Sequence, residues 1–385
     1  MLDVDARFSR QKGPNEALIG RADGRSRLQT PALVVDHGVL MDNIARMAKV
    51  ARDHGVALRP HAKAHKSVEI ARRQVAAGAV GVSCATLGEA EVMVAGGLPG
   101  VLITSPVVTT DKVRRLIQLA GRARSGAIMV VADHPENVAD LAGAAADLGA
   151  PLPVLVDVNV GQDRTGAASV VAAVRLAGDI RDAPGLALAG LQAYAGHIQH
   201  IPDRAGRAQA AAAVQAQVAN IVRAADRDGL RFPVVTGGGT GSHDMDAASG
   251  VFTELQPGSY VFMDAEYSRV VAGGASSFQV SLTVQTTVVS ANHRDWVTVD
   301  GGTKCFATDA GVPMVASGAD PAGTYRFFGD EHGRLVHAGR SPHLGARVEF
   351  VTPHCDPTVN LHNLYHVADG DLLVDIWPID ARGVW

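Results

Sequence analysis

Between residues 56 and 262, short apolar runs alternate with alanine-rich segments of helical length, and this alternation limits the available folds more than any other feature. Strand candidates occupy residues 56–60, 81–85, 101–105, 127–132, 153–160, 188–193, 232–236 and 259–262. Most are Val, Ile and Leu without polar alternation, the pattern of strands covered on both faces. Helical segments at 67–77, 135–148 and 204–227 lie between them. Several end at glycine (Gly78, Gly149, Gly229), where a left-handed cap carries no steric cost. Helical crossovers join parallel neighbours, so eight such strands predict an α/β fold, a closed (β/α)8 TIM barrel, with an open doubly wound sheet as the alternative.

After about residue 275 the pattern changes. Segments 278–290 and 296–300 are rich in Val and Thr, 347–352 and 372–376 are further short strand candidates, and no long helical period intervenes. This predicts a barrel over 37–275 and a β-rich domain over 276–385, with segment 1–36 joining the β domain through a strand at 31–36. At 385 residues the chain is long enough for two domains. The net charge of −4 leaves no electrostatic footprint for nucleic acid or an anionic membrane. No apolar run reaches the length of a membrane span, and the first 30 residues lack the apolar centre of a signal peptide. Cys84, Cys305 and Cys355 are too few and too scattered for a disulfide framework. The expectation is a soluble cytoplasmic protein with reduced thiols.

The densest chemistry lies in Arg59-Pro60-His61-Ala62-Lys63-Ala64-His65-Lys66, at the end of the first barrel-strand candidate. Only six of the 35 basic Lys and Arg side chains are lysines, so a lysine here is more than a generic charge. Cationic neighbours favour a neutral amine, which attacks an aldehyde to form a Schiff base. His61 and Lys63 would project to one side if the strand continues, at the barrel end that carries active sites. Lys304, in Asp300-Gly301-Gly302-Thr303-Lys304, is the competing amine.

Other strand ends carry complementary groups. Thr236-Gly237-Gly238-Gly239-Thr240-Gly241-Ser242 reads as a turn whose N–H and hydroxyl groups converge on an anion, although such a turn also serves as a tight connection. Gln256-Pro257-Gly258-Ser259-Tyr260 adds donors at the next strand. Arg164, after the strand at 153–160, can meet an anionic oxygen, and Tyr194, His197 and His200 follow the strand at 188–193, where a general base is plausible. Near the far end, Pro353-His354-Cys355-Asp356-Pro357 places His354 and Asp356 on one face if the segment is extended, with Cys355 opposite. A histidine with a carboxylate suits a hard divalent ion, Mn²⁺ or Mg²⁺, with Zn²⁺ or Co²⁺ as alternatives.

Taken in this order, the lysine loop, the glycine-rich turn and the His-x-Asp segment resemble the D-threonine aldolase/D-serine dehydratase family, pyridoxal phosphate enzymes of fold type III with an alanine-racemase-like barrel. The resemblance runs from Thr30-Pro31-Ala32 to Asp380-Ala381-Arg382-Gly383 and includes Glu254-Leu255-Gln256-Pro257-Gly258-Ser259-Tyr260 and Asp330-Glu331-His332-Gly333. It implies that Lys63 carries pyridoxal 5'-phosphate as a Schiff base, that Gly238, Gly239, Thr240, Ser259 and Tyr260 hold the phosphate, and that Arg164 and Tyr194 lie near the pyridine ring. It further implies that His354 and Asp356 bind a divalent metal, that His200 is the base for the substrate hydroxyl, and that the protein is a homodimer.

Within the family the signals divide. Ser83-Cys84-Ala85-Thr86-Leu87-Gly88-Glu89 is similar to dehydratase-like relatives, whereas the carboxylate at Asp356 points to D-threonine aldolases, because dehydratase relatives use His-x-Cys. The metal pair weighs more, since ligand hardness bears on the ion that polarises the hydroxyl. The expected activity is retro-aldol cleavage of D-3-hydroxy amino acids, with D-threonine giving glycine and acetaldehyde. The rivals are dehydration of D-serine or D-threo-3-hydroxyaspartate to a 2-oxo acid and ammonia, and a non-catalytic pyridoxal phosphate carrier.

Overall fold

The computed structural model describes residues 12–123, 128–271, 278–337, 339 and 341–385, which form two compact units. One comprises the described residues within Met47–Lys63, Ile70–Gly258 and Val384–Trp385; the other comprises those within Met1–Arg46, Ala64–Glu69 and Ser259–Gly383. The expected boundary near 276 and the first residue of the strand at 127–132 lie outside the described residues.

Strand β1 (Ala32–Asp36) belongs to the second unit. The first unit holds β2 (Ala57–Leu58), β3 (Val82–Cys84), β4 (Val101–Ile103), β5 (Ile128–Ala132), β6 (Leu152–Asp157), β7 (Leu186–Ala193), β8 (Val234–Gly237) and β9 (Glu254–Leu255). All neighbours are parallel, in the order β2-β9-β8-β7-β6-β5-β4-β3. The ring closes between β2 and β3, where Val80 N donates to Leu58 O at 2.8 Å, Ser83 N donates to Pro60 O at 2.9 Å, and His61 bridges Ser83. The architecture is therefore the expected TIM-like barrel of eight parallel strands, and closure leaves no exposed edge.

Apolar composition explains why these strands are interior. Every residue of β5 is buried, and Leu102, Met129, Val131 and Leu155 pack as one cluster with Ala189 and Val234 against it. The outer helices start at side-chain caps: Thr86, Thr109, Ser169 and Asp203 each accept a first-turn N–H, a contribution of about 1 kcal/mol apiece. Helix Arg204–Arg227 has the bounds that its alanine-rich pattern predicts. Gly78 and Gly229 take φ of 110° and 71° at helix ends, whereas Gly149 is not left-handed.

One barrel strand differs from expectation. Residues 259–262 do not form the eighth strand; Ser259–Val261 is a 3-10 turn, with Phe262 N and Met263 N both donating to Ser259 O at 3.1 and 2.8 Å. The eighth strand is β9, which apolar pattern misses because its first residue is a buried carboxylate, Glu254.

The second unit is a nine-stranded sheet of β1 with β10 (Leu282–Ser290), β11 (Trp296–Val299), β12 (Met314–Ser317), β13 (Thr324–Phe327), β14 (Gly333–Val336), β15 (Arg347–Val351), β16 (Leu364–Asp369) and β17 (Leu372–Pro378). Because β10 pairs with both β15 and β11, strands β10 to β15 close on themselves as an antiparallel barrel. Strand β1 pairs antiparallel with β10 and parallel with β16, and Leu28, Ala32, Val34, Ala368, Leu373 and Ile376 pack as a core on it. Strands β12, β13, β14 and β16 were not expected from sequence. Among the described residues, no helix is long and apolar enough to cross a membrane.

A buried bidentate ion pair ties the segment after β2 to β9. Arg59 Nε and Nη2 donate to Glu254 Oε1 and Oε2, each at 2.7 Å, and Nη1 donates to Gly100 O. Both side chains are less than a tenth exposed. Glu254→Ala leaves the guanidinium buried without its partner and is expected to cost about 3–5 kcal/mol. Urea unfolding checks this; a loss below about 1 kcal/mol would show that the pair does not hold β2 to β9.

Candidate functional site

In the first unit every expected residue follows a barrel strand at its C-terminal end, so parallel topology sets them on one rim. Lys63 lies half-buried in a 3-10 turn, Ala62–Ala64. The strand therefore does not continue through His61 and Lys63, and period-2 alternation is not what places them. His61 Nε2 lies 3.1 Å from Thr104 Oγ1, whose own hydrogen goes to Cys84 O at 3.0 Å. Nε2 must then be the donor, which leaves Nδ1 to accept from Lys63 N at 3.4 Å. His61 thus fixes the backbone that carries Lys63.

The competing lysines are committed elsewhere. Lys304 Nζ pairs with Glu331 at 2.5 Å on an exposed surface, Lys49 pairs with Asp53, and Lys12 pairs with Asp375. Lys66 is buried with Nζ 3.5 Å from Ala381 O and a φ of 51°.

The glycine-rich turn rests on a buried polar network. Gln199 Nε2 donates to Ser242 Oγ at 2.9 Å, Gly241 N donates to Gln199 Oε1 at 2.9 Å, and Ser242 Oγ donates to Asp246 Oδ2 at 2.6 Å. Gln215 Nε2 reaches Asp246 Oδ1 at 3.0 Å. Gly238 needs its glycine twice over, with φ at 69° and a Cβ position 2.9 Å from Asp246 Oδ2. His243 Nδ1 donates to Thr240 O at 2.8 Å. His200 is half-buried and directly follows Gln199, so the same side chain that buttresses the turn anchors the segment carrying His200.

Arg164 and Tyr194 come together, with the guanidinium 5.6 Å from the ring centroid, beside a small cleft also lined by Asp157, Asn159 and Thr165. The Arg164 loop is held from below. Thr165 Oγ1 donates to Asp157 Oδ2 at 2.7 Å, and Gln192 Nε2 donates to Asp157 Oδ1 at 2.9 Å. Burial pushes the Asp157 carboxyl above its ordinary value, and the two hydrogen bonds pull it back only in part.

In the second unit Ser259 and Asp356 are brought together, Ser259 Oγ donating to Asp356 Oδ1 at 3.1 Å. Tyr260 lies buried in the same 3-10 turn. The segment at 354–356 is not extended throughout. His354 is extended, but Cys355–Val359 is helical, and Cys355 does not point away from its neighbours: Cys355 N donates to Asp264 Oδ2 at 2.9 Å and Sγ lies 3.3 Å from Asp356 Oδ1. Period-2 alternation is lost because the backbone turns helical at the residue between the two candidate ligands. His354 Nδ1 meets Asp309 Oδ2 at 2.7 Å. Burial alone would lower the His354 pKa, but the carboxylates of Asp356, Asp309 and Asp264 outweigh it and hold the pKa above the usual value. Among the described residues, no group of three or more His, Cys, Asp and Glu side chains is assembled into a metal cage.

Gln199, Asp246, His243, Asp264 and Asp309 were not singled out from sequence. The one signal available was the i, i+4 spacing of Ser242 and Asp246 at a helix start, whereas Asp309 lies 45 residues from the histidine it meets. The Thr86–Glu89 signature has a local cause. Thr86 caps helix Leu87–Ala95 by accepting from Glu89 N at 3.2 Å, and Glu89 Oε2 accepts from Ala85 N at 2.7 Å. A helix N-cap favours a threonine there whatever the substrate.

The first unit sets Lys63 and the glycine-rich turn on one rim, and the second unit carries His354 with carboxylates. Residues 35–266 match the family model described as alanine racemase, N-terminal domain, and residues 281–368 match that described as putative serine dehydratase domain. The chain is 42% identical over 366 residues to a D-threonine aldolase of Arthrobacter sp, covering 94% of each. It is 36% identical to a 3-hydroxy-D-aspartate aldolase of Paracoccus denitrificans (strain Pd 1222), covering 93% of each. A crystal structure of D-threonine aldolase from Filomicrobium marinum superposes with a TM-score of 0.89 at 40% identity, covering 92% of this chain and 96% of that one.

Asp246 gives a pH signature for the turn. Burial raises its carboxyl pKa, with its hydrogen bonds to Ser242 and Gln215 opposing. A folded-state pKa above the unfolded one means the native state holds the extra proton, so this contribution is complete at low pH and is lost as pH rises through the folded value. Asp246→Asn removes that titration. Its stability deficit relative to wild type is expected to shrink from pH 5 to pH 8, read by urea unfolding; a deficit that stays constant or grows refutes the assignment.

Proposed function

Because this chain belongs to the D-threonine aldolase/D-serine dehydratase family, with its alanine-racemase-like barrel, we propose that it cleaves D-3-hydroxy amino acids by retro-aldol chemistry, D-threonine giving glycine and acetaldehyde. It is a carbon–carbon lyase of the pyridoxal-phosphate-dependent class. Whole-length similarity to a D-threonine aldolase, at 42% identity over 94% of both chains, carries the reading.

The donor groups suit pyridoxal 5'-phosphate. Such a cofactor needs an amine for its aldehyde and a cradle for its phosphate, and the rim offers Lys63 for the first and Gly238, Gly239 and Thr240 for the second, on the Gln199–Ser242–Asp246 buttress. Ser259 and Tyr260 are further proposed phosphate contacts. Arg164 and Tyr194, paired at 5.6 Å, are assigned to the pyridine ring. When bound, the cofactor supplies an electron-accepting ring that stabilises the negative charge left on Cα.

His354 and Asp356 are assigned to a divalent ion, Mn²⁺ or Mg²⁺ before Zn²⁺ or Co²⁺. Two protein donors, one a hard carboxylate, suit an open site whose remaining positions go to water and substrate. Such an ion would supply Lewis acidity that lowers the pKa of the β-hydroxyl, so a histidine would be a sufficient base. His200 takes the hydroxyl proton on an imidazole nitrogen; the electron pair left on oxygen forms the aldehyde C=O as Cα–Cβ breaks. Homodimeric assembly and a cytoplasmic setting belong to the same reading.

Dehydration is the second reading, favoured by the serine-dehydratase model match over 281–368. The resemblance of residues 83–89 to dehydratase-like relatives supports the same reading, and Thr86 there also caps a helix.

Product analysis separates the two. Incubation of the purified protein with D-threonine, D-serine and 3-hydroxy-D-aspartate, with Mn²⁺ and with EDTA, is expected to yield glycine and aldehyde in an EDTA-sensitive reaction. Formation of 2-oxo acid and ammonia selects the dehydratase, and no turnover on any of the three revives the carrier reading. Lys63→Ala is expected to abolish both the visible absorbance of the lysine-bound cofactor and turnover; survival of either removes Lys63 from its role.

A further inference from the structure

We propose that Asp309 is a positioning residue for the metal site, fixing the ring of His354 so that Nε2 is the ligand nitrogen. The inference rests on the reading of His354 and Asp356 as metal ligands and adds a residue that pattern does not reveal. An ionised carboxylate only accepts, so the 2.7 Å contact between His354 Nδ1 and Asp309 Oδ2 puts the hydrogen of the neutral ring on Nδ1 and the lone pair on Nε2. Nε2 has no hydrogen-bond partner among the described residues. A carboxylate behind a ligating histidine is the usual way to lock tautomer and ring orientation, and its loss costs metal affinity.

Three further observations separate this from an incidental surface contact. His354 stands at the N-cap of helix Cys355–Val359, yet its side chain makes no capping bond, so the imidazole is not consumed by the helix. The segment carrying Asp309 is tied to the segment carrying His354 through one hydroxyl: Ala307 N donates to Thr358 Oγ1 at 3.0 Å, and Thr358 Oγ1 donates to His354 O at 2.7 Å. Backbone and ring of His354 are thereby held from the same side of the chain. As a stability device the pair is poor, because the Asp309 side chain is 54% exposed and solvent screens the interaction.

The test is Mn²⁺ binding by the full-length holoprotein stripped with EDTA, with free Mn²⁺ followed by electron paramagnetic resonance. His354→Ala and Asp356→Ala are expected to abolish tight binding. Asp309→Ala is expected to weaken it roughly 10- to 100-fold, Asp309→Asn less because an amide oxygen still accepts from Nδ1, and Asp309→Glu least, with unchanged melting in EDTA for all three. Wild-type affinity in both Asp309→Ala and Asp309→Asn overturns the proposal. So does a loss in Asp309→Ala as complete as in His354→Ala, which would make Asp309 a ligand itself. Absence of Mn²⁺ binding in the wild type instead sinks the metal assignment, an outcome distinct from either.

Discussion

Arg59 is the residue on which the barrel unit turns, because it joins the first strand of the ring to both of its neighbours. Its guanidinium grips Glu254 on β9 and the Gly100 carbonyl just before β4, its N–H donates to Leu255 O at 2.9 Å, and its carbonyl accepts from Ser83 Oγ on β3 at 3.0 Å. β2 and β9 are two residues long and have little ladder of their own. A buried ion pair contributes little net stability against an apolar replacement, but its fork geometry admits one register. His61 and Lys63 follow Arg59 by two and four residues, so the register set at the seam is inherited by the amine.

The same economy explains what the sequence revealed of the fold and what it concealed. Strands such as Ile128–Ala132 are buried throughout, and long apolar runs with helical spacers between them are readable without further information. β9 is not readable that way. Its first residue is a carboxylate that is tolerable only because Arg59, 195 residues earlier, neutralises it. Residues 259–262 have the apolar content of a strand, yet Ser259 O collects two N–H donors and winds the segment into a turn. In the second unit, β12 and β13 are four residues each and largely exposed, so hydrophobic periodicity had almost nothing to act on.

The candidate site divides along a similar line. Residue types with intrinsic chemistry, namely Lys63, the 237–242 turn, His354 and Asp356, can be picked out from local pattern. Their supports cannot, because Gln199 meets Ser242 across 43 residues and Asp309 meets His354 across 45. The helical turn at Cys355 shows the cost of extrapolating local geometry. Alternation assigned His354 and Asp356 to one face through an extended backbone, whereas Asp264, by accepting from Cys355 N, holds the first turn of a helix there.

Cleavage and dehydration would share a substrate class and a cofactor, so the choice between them comes down to which proton is removed. Cleavage requires a base at the β-hydroxyl; dehydration requires one at Cα, with the β-oxygen leaving as hydroxide. In this chain the residue assigned to the hydroxyl, His200, is coupled through Gln199 to the turn assigned to the phosphate. The amine that would have to act at Cα, Lys63, has its backbone fixed separately by His61 through Thr104. Two bases on independent supports allow one to be tuned without disturbing the other, so relatives of one barrel can differ in the bond they break. If Asp356 holds a divalent ion as proposed, its carboxylate would favour a hard ion over a soft one. Under the proposed assignment, a base at His200 would be the group that commits the substrate to losing its Cα–Cβ bond.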